Sequence, residues 1–127
     1  MRLLLDTHAF LWWTGDDHRL GPAARSAISD PENVVYVSAA SAWEISIKRA
    51  KGKLRTSRDL EAAIAEHGFR ALSIEIRDGI AAGALPTHHR DPFDRMLIAQ
   101  AQRESMTVVT DDSAFEKYEV DTVPAAR

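Results

Sequence analysis

Four acidic residues stand where a strand-like run gives way to a helix-like one: Asp6 after RLLL, Glu44 within SAWEISIK, Asp94 within DPFDRMLIAQA and Asp112 after TVVTD. They are spread over nearly the whole chain, so only a fold that returns repeatedly to one edge gathers them, as an alternating α/β sheet does. Carboxylates on one edge form an oxygen-rich trap for a hard divalent cation, because Mg²⁺ and Mn²⁺ prefer oxygen ligands. The chemistry such a cluster suits is metal-assisted phosphodiester hydrolysis. Crowded carboxylates also raise one another's pKa values unless a cation neutralises them.

Each acid also has a purely structural explanation. Asp6 is placed to cap a helix over THAFLWW, and Asp112 to cap one over SAFEKY. Ser41-x-x-Glu44 has the spacing of a capping box, and Glu44 precedes Lys48 by four residues, the geometry of a helix-surface ion pair. Asp94 complements the dipole of its own helix. Two features resist this account when the four are taken together. Glu44 sits beside Trp43, Ile45 and Ile47 on an apolar helix, and the acids punctuate four separate units. A buried, unpaired carboxylate is costly, which makes a cation its natural partner.

The elements that must position these residues are legible in the pattern. RLLL (2–5) reads as a buried strand followed by a short helix from Asp6 to Trp13, and Pro22 opens a helix that ends near Asp30-Pro31. NVVYV (33–37) is a β-branched strand, and Ser38 to Lys51 is a helix stopped by Gly52. A helix over 57–67 closes at Gly68 before the strand-like FRALSI, and another over 75–85 ends at Pro86. Asp91 is the expected N-cap of a helix from Pro92 to about Ser105, because a residue before proline avoids the helical region; Asp94 then falls at the third helical position. TVVT (107–110), a brief helix over 114–118 and a strand over 120–123 complete the chain. Such alternation predicts a parallel sheet of about five strands with helices on both faces, and open parallel sheets carry their sites outside the carboxyl ends of the strands.

Composition sets the bounds. The 127 residues suit one domain, 1–127, with an ordinary globular balance of 45% hydrophobic and 28% charged residues. The N-terminal MRLLLDTHAFLWW is interrupted by Asp6 and His8, so it reads as neither signal peptide nor membrane span, and a cytoplasmic location is the default expectation. With no cysteine there is no thiolate metal site and no cysteine nucleophile. A net charge of −3 means that any polyanionic substrate must be met by a local basic patch or by bridging cations. Lys48, Arg49, Lys51, Lys53, Arg55 and Arg58 supply such a patch with no intervening acid, unless they are only a solvated helix end; Arg90 and Arg95 flank the acids as further phosphate contacts. His8, His88 and His89 lack ligand spacing and read as solvated or outer-layer residues. Trp12 and Trp13 read as core or subunit interface rather than a base-stacking platform.

The segments LLLDTHAFLWW, VSAASAWEISIKRAKGKL, HHRDPFDRMLIAQA and VVTDDSAF, taken in order, resemble the signature blocks of PIN-domain proteins, in particular the VapC-type ribonuclease toxins of bacterial toxin–antitoxin pairs. The resemblance implies a three-layer α/β/α sandwich and a Mg²⁺- or Mn²⁺-dependent endoribonuclease leaving a 5′-phosphate and a 3′-hydroxyl. It implies Asp6, Glu44, Asp94 and Asp112 as catalytic metal ligands, with Thr110 at the hydroxyl position of T-x-D; Asp91 and Arg95, which flank Asp94, are expected in support. RNA is then expected to meet Lys48, Lys51, Lys53, Arg55 and Arg90. The partners it implies are an antitoxin protein, often one that inserts a basic side chain into the acidic crevice, and a second copy in a homodimer; no membrane is involved. A PIN-like nuclease acting on structured DNA and a non-enzymatic nucleotide- or metal-binding α/β module are the rival readings. The chain lacks the extra length that guides branched DNA and has no glycine-rich phosphate loop.

Overall fold

A computed structural model describes residues 1–54 and 59–126. Five strands, β1 (Arg2–Leu5), β2 (Val34–Ser38), β3 (Arg70–Leu72), β4 (Thr107–Thr110) and β5 (Thr122–Pro124), form one sheet, every pairing parallel, in the order β3-β2-β1-β4-β5. Among the described residues six helices flank it: α1 (Thr7–Thr14), α2 (Pro22–Ser29), α3 (Ala39–Ala50), α4 (Leu60–Glu66), α5 (Ile76–Ala84) and α6 (Pro92–Glu104). A short 3₁₀ helix covers Ser113–Lys117.

The leucine run of β1 explains the layering. Successive side chains of a strand point to opposite faces. Leu3 and Leu5 therefore join Phe10, Ile28, Val37 and Ile45 in one core, while Leu4 joins Leu97, Ile98, Val108 and Phe115 in the other. A strand covered on both sides needs no polar alternation. Burying each such leucine contributes on the order of 2 kcal/mol, so the three-layer arrangement follows from three adjacent apolar residues that must all leave water.

Connection order fixes where a site can form. From β1 the chain moves to β2 and β3 on one side, then crosses back to β4 and β5 on the other, so the order reverses between β1 and β4. The crevice at such a reversal is where open α/β sheets bind ligands. Leu5 is in register with Val109, and the Asp6 N–H donates to the Val109 carbonyl at 3.1 Å, which sets Asp6 beside the Thr110–Asp112 turn.

Boundaries match the expected elements closely, with three differences. The helix expected from Ser57 is observed from Leu60, capped by Asp59 (Ser57 itself lies outside the described residues). The expected helix over 114–118 is a tight 3₁₀ turn, and the last strand runs 122–124 rather than 120–123 because the Asp121 carbonyl first pairs with the Val108 N–H. Gly52 and Gly68 take φ of +69° and +71°, the left-handed geometry that glycine adopts at low cost after a helix. Helices α5 and α6 are locked by Asp78, 1% exposed, whose Oδ2 accepts from Arg103 Nη2 at 2.9 Å.

Candidate metal centre at the carboxyl ends of β1 and β4

Asp6 lies one residue beyond β1 and caps α1, its Oδ1 accepting the Ala9 N–H at 2.8 Å. The cap holds the carboxylate at the sheet edge with only 7% exposure. Burial raises its pKa above the usual range, with the nearby Glu44 charge adding to the effect; the Ala9 N–H, the Thr110 side chain and His8 work the other way.

Glu44 arrives on α3. That helix is capped by Ser38, whose Oγ accepts the Ala40 N–H at 3.0 Å. Ser41 is therefore the third helical residue, 1% exposed, and the capping box suggested by Ser41-x-x-Glu44 does not form. Strand β2 ends at Ser38 and turns at once into helix, which leaves Ser41 facing inward. Its neighbour is the Thr7 hydroxyl, 3.2 Å away, which donates to Glu44 Oε1 at 2.6 Å. Lys48 one turn on reaches Glu44 Oε2 at 2.9 Å, so the expected i,i+4 ion pair is present. Each Glu44 oxygen thus has a donor, and the side chain is held rigidly despite its burial.

Asp91 and Asp94 divide their roles as the Asp-Pro sequence predicts. Asp91 Oδ1 accepts the N–H groups of Phe93 at 2.8 Å and Asp94 at 3.2 Å, with Pro92 opening α6. Asp94 keeps its carboxylate for the cavity, its Oδ2 lying 2.8 Å from His89 Nε2. The same nitrogen lies 3.0 Å from Asp112 Oδ2. Asp112 caps the 3₁₀ helix through the Ala114 N–H at 2.9 Å, and its own N–H donates to the Thr110 hydroxyl at 3.1 Å. Burial pushes the Asp94 carboxyl up to about 7, with the Asp91 charge and, more weakly, Asp6 adding to it; His89 pulls in the opposite direction.

These residues line one cavity of about 480 Å³. Six carboxylates face it, from Asp6, Glu44, Asp91, Asp94, Asp111 and Asp112, against Lys48 and the imidazoles of His8 and His89. Oxygen donors in excess over cations, two of them driven towards the protonated state by burial, match what a hard divalent ion would relieve. His89, Asp94 and Asp112 also present one ligand atom each within 4.8 Å of one another.

The remaining candidates fall in different places. Lys48 is tied to Glu44, Lys51 and Lys53 are exposed beyond the end of α3, and Arg90 is exposed on the loop before α6. Arg55, with Arg58, lies outside the described residues. Arg95, read from sequence as a phosphate contact, instead turns its guanidinium onto main-chain carbonyls of Ala82, Leu85, Pro86 and His89. A helix C-terminus offers unpaired carbonyls, and a planar five-donor fork satisfies several at once. His8 and His88 are exposed, but His89 is drawn between two carboxylates, much closer than its lack of ligand spacing suggested. The available signal was its place in the loop that Asp91 and Pro92 turn back into the first turn of α6. Thr7 was also missed, although the residue after a capping aspartate shares its edge. Trp12 is half-buried, stacked on His8 at 5.8 Å, and Trp13 packs on His67 and Phe69.

Comparison with known proteins agrees with this geometry. The profile of the PIN domain matches residues 3–121. Ribonuclease VapC22 of Mycobacterium tuberculosis (strain ATCC 25618 / H37Rv) is 30% identical over 120 residues, an alignment covering 91% of each chain. Among solved structures, VapBC2 from Rickettsia felis, bound to a DNA fragment from its promoter, matches with a TM-score of 0.71 at 13% identity, over 97% of this chain and 98% of that one. A toxin–antitoxin complex from Klebsiella pneumoniae matches with a TM-score of 0.65 at 16% identity, over 97% of both chains.

Proposed function

The chain belongs to the PIN-domain family, and from that premise we propose that it is a metal-dependent endoribonuclease, the toxin of a toxin–antitoxin pair. It works as one domain over residues 1–127, in the cytoplasm. The observation that carries this reading is the arrival of Asp6, Glu44, Asp94 and Asp112, from four separate stretches of chain, at one cavity whose carboxylates outnumber its cations. Support for RNA as substrate comes from the mycobacterial relative, which is named a ribonuclease.

The donor set fits Mg²⁺ or Mn²⁺, and Asp6, Glu44, Asp94 and Asp112 would hold the ion. When bound, the metal supplies a water of lowered pKa and neutralises charge on the leaving oxygen. The chain's own residues do the rest. Thr7 and Lys48 fix the two oxygens of Glu44. Thr110 joins Asp6 to the Asp112 main chain, and His89 holds Asp94 and Asp112 at a set spacing. Lys51, Lys53, Arg55 and Arg90 supply the positive charge that meets the phosphate chain and offsets the negative cavity.

Two partners follow. An antitoxin answers the acidic cavity with a basic side chain; the matched Klebsiella pneumoniae structure is a toxin–antitoxin complex. A second copy covers the exposed apolar side chains of Trp43, Ile74, Ile76 and Ile80, which are 62%, 40%, 84% and 70% exposed. Among the described residues no helix is long and apolar enough to cross a membrane.

The test is cleavage of end-labelled RNA by purified protein with Mg²⁺, with Mn²⁺ and with excess EDTA, followed by sequencing of 5′-phosphate ends. Cleavage that requires the metal and leaves 5′-phosphates is expected. Fragments bearing 2′,3′-cyclic phosphates, or RNA left intact under every metal condition, would reject the reading.

A further inference from the structure

The loop between α5 and α6 has to deliver the His89 imidazole to a point between two carboxylates that belong to different parts of the chain. Residues 86–88 and Arg90 are exposed, so apolar packing does little to shape it. Two side chains hold its main chain. Tyr118 Oη donates to the Pro86 carbonyl at 2.6 Å and accepts the His89 N–H at 2.8 Å. Arg95 donates to the Leu85, Pro86 and His89 carbonyls at 2.9, 3.0 and 3.1 Å. Tyr118 follows the 3₁₀ helix that Asp112 caps, and Arg95 follows Asp94 on α6. The loop is therefore tied separately to each of the two segments whose carboxylates His89 joins.

A phenol is suited to this position. Its hydroxyl is donor and acceptor at once, so one atom fixes Pro86 and His89 together. The ring is 8% exposed and belongs to the core built on Phe115 and Leu97, which makes Oη a fixed point rather than a mobile tip.

We infer that Tyr118 is a positioning residue that acts through His89, with Arg95 securing the same loop from the α6 side. This rests on the nuclease reading for its kinetic consequence but not for its structural one. Tyr118→Phe keeps the buried ring and removes both hydrogen bonds, so the protein folds and its melting temperature falls by only a few degrees. The His89 N–H then loses its acceptor and the imidazole its fixed place.

The experiment has two arms. In metal-free protein, NMR reads amide exchange and imidazole resonances of His89 in wild type and Tyr118→Phe. Faster His89 exchange and a shifted or broadened imidazole signal are expected, with distant core amides unchanged; identical His89 signals overturn the inference. In the kinetic arm, single-turnover RNA cleavage by Tyr118→Phe should fall about 10- to 100-fold, as for removal of a group that orients a site residue, with RNA affinity preserved. In a His89→Ala background the same substitution should change the rate by less than about twofold, because coupled residues are not additive. A full loss in that background, or none in the wild-type one, overturns the inference. If wild type itself cleaves no RNA with any metal, the nuclease reading fails, and the NMR arm still decides what Tyr118 does.

Discussion

Replacing Asp94 by asparagine should make the metal-free protein more stable while removing its activity. The Asp94 carboxyl is lifted from an ordinary 3.8 to about 7 by burial and by the Asp91 and Asp6 charges. At ~1.4 kcal/mol per tenfold change in proton affinity, ionised Asp94 costs the folded state on the order of 4 kcal/mol, and relaxation within the cluster lowers the observable part to about 1–3 kcal/mol. The sign follows from proton linkage. The folded carboxyl binds its proton more tightly than the unfolded one, so its contribution to stability is complete below pH ~4 and is lost as pH rises through about 7. Asparagine does not ionise and keeps an acceptor for His89. In EDTA at pH 8, Asp94→Asn should therefore melt roughly 3–10 °C above wild type, with the gap closing towards pH 4.5. Saturating Mg²⁺ should raise wild type and not the variant, since a ligand stabilises only the fold that binds it. Circular dichroism melts at the two pH values, with and without Mg²⁺, measure this. A variant less stable than wild type at pH 8 in EDTA would refute the reasoning.

Further outcomes follow from the same geometry. Asp91→Asn should leave cleavage nearly unchanged and should not lower stability, since it keeps the cap and removes a charge that opposes Asp94 ionisation, whereas Asp91→Ala should melt with about 1 kcal/mol less stability than Asp91→Asn, because asparagine caps a helix as well as aspartate does. Replacing Lys51 and Lys53 together by alanine should weaken RNA binding and reduce the slope of log affinity against log salt by roughly 1.4; an unchanged slope would leave those lysines as a solvated helix end. Gln100 is fully buried, accepting from the Ser38 hydroxyl at 2.6 Å and donating to the Ser73 carbonyl at 3.2 Å. Gln100→Leu orphans both and should cost about 1–3 kcal/mol in urea unfolding, loosening the turn that aims α3 and Glu44; equal midpoints would contradict this.

What the sequence made legible is what local rules govern. Leu3 to Leu5, the β-branched run at Val34 and the punctuation at Gly52, Gly68 and Pro92 each act over a few residues, and the elements they predict are present. The division of labour between Asp91 and Asp94 was legible for the same reason, since proline restricts its own neighbour. The Ser41 capping box failed because a spacing says nothing of where the preceding strand stops. Thr7 was overlooked and Arg95 misplaced for another reason: their partners lie in other elements, and although an outer-layer role was expected for His89, its two carboxylate partners were not. The His89 loop takes its shape from Tyr118, 29 residues later, and from the carbonyls Arg95 gathers, and no periodicity carries that information.

Single-turnover cleavage of one labelled RNA, titrated with Mn²⁺ in wild type and in Asp6→Asn, tests the central claim most directly. Asp6 is the acid at the β1 edge, and asparagine can keep its cap on Ala9 while removing the charge. The carboxylate cluster as metal-holding catalyst predicts no wild-type cleavage without the ion, saturation as Mn²⁺ is added, and a variant that folds but needs far more metal and cleaves at least about 100-fold more slowly. Wild-type cleavage that persists in excess EDTA, or an Asp6→Asn protein with the same Mn²⁺ dependence and rate, would contradict it.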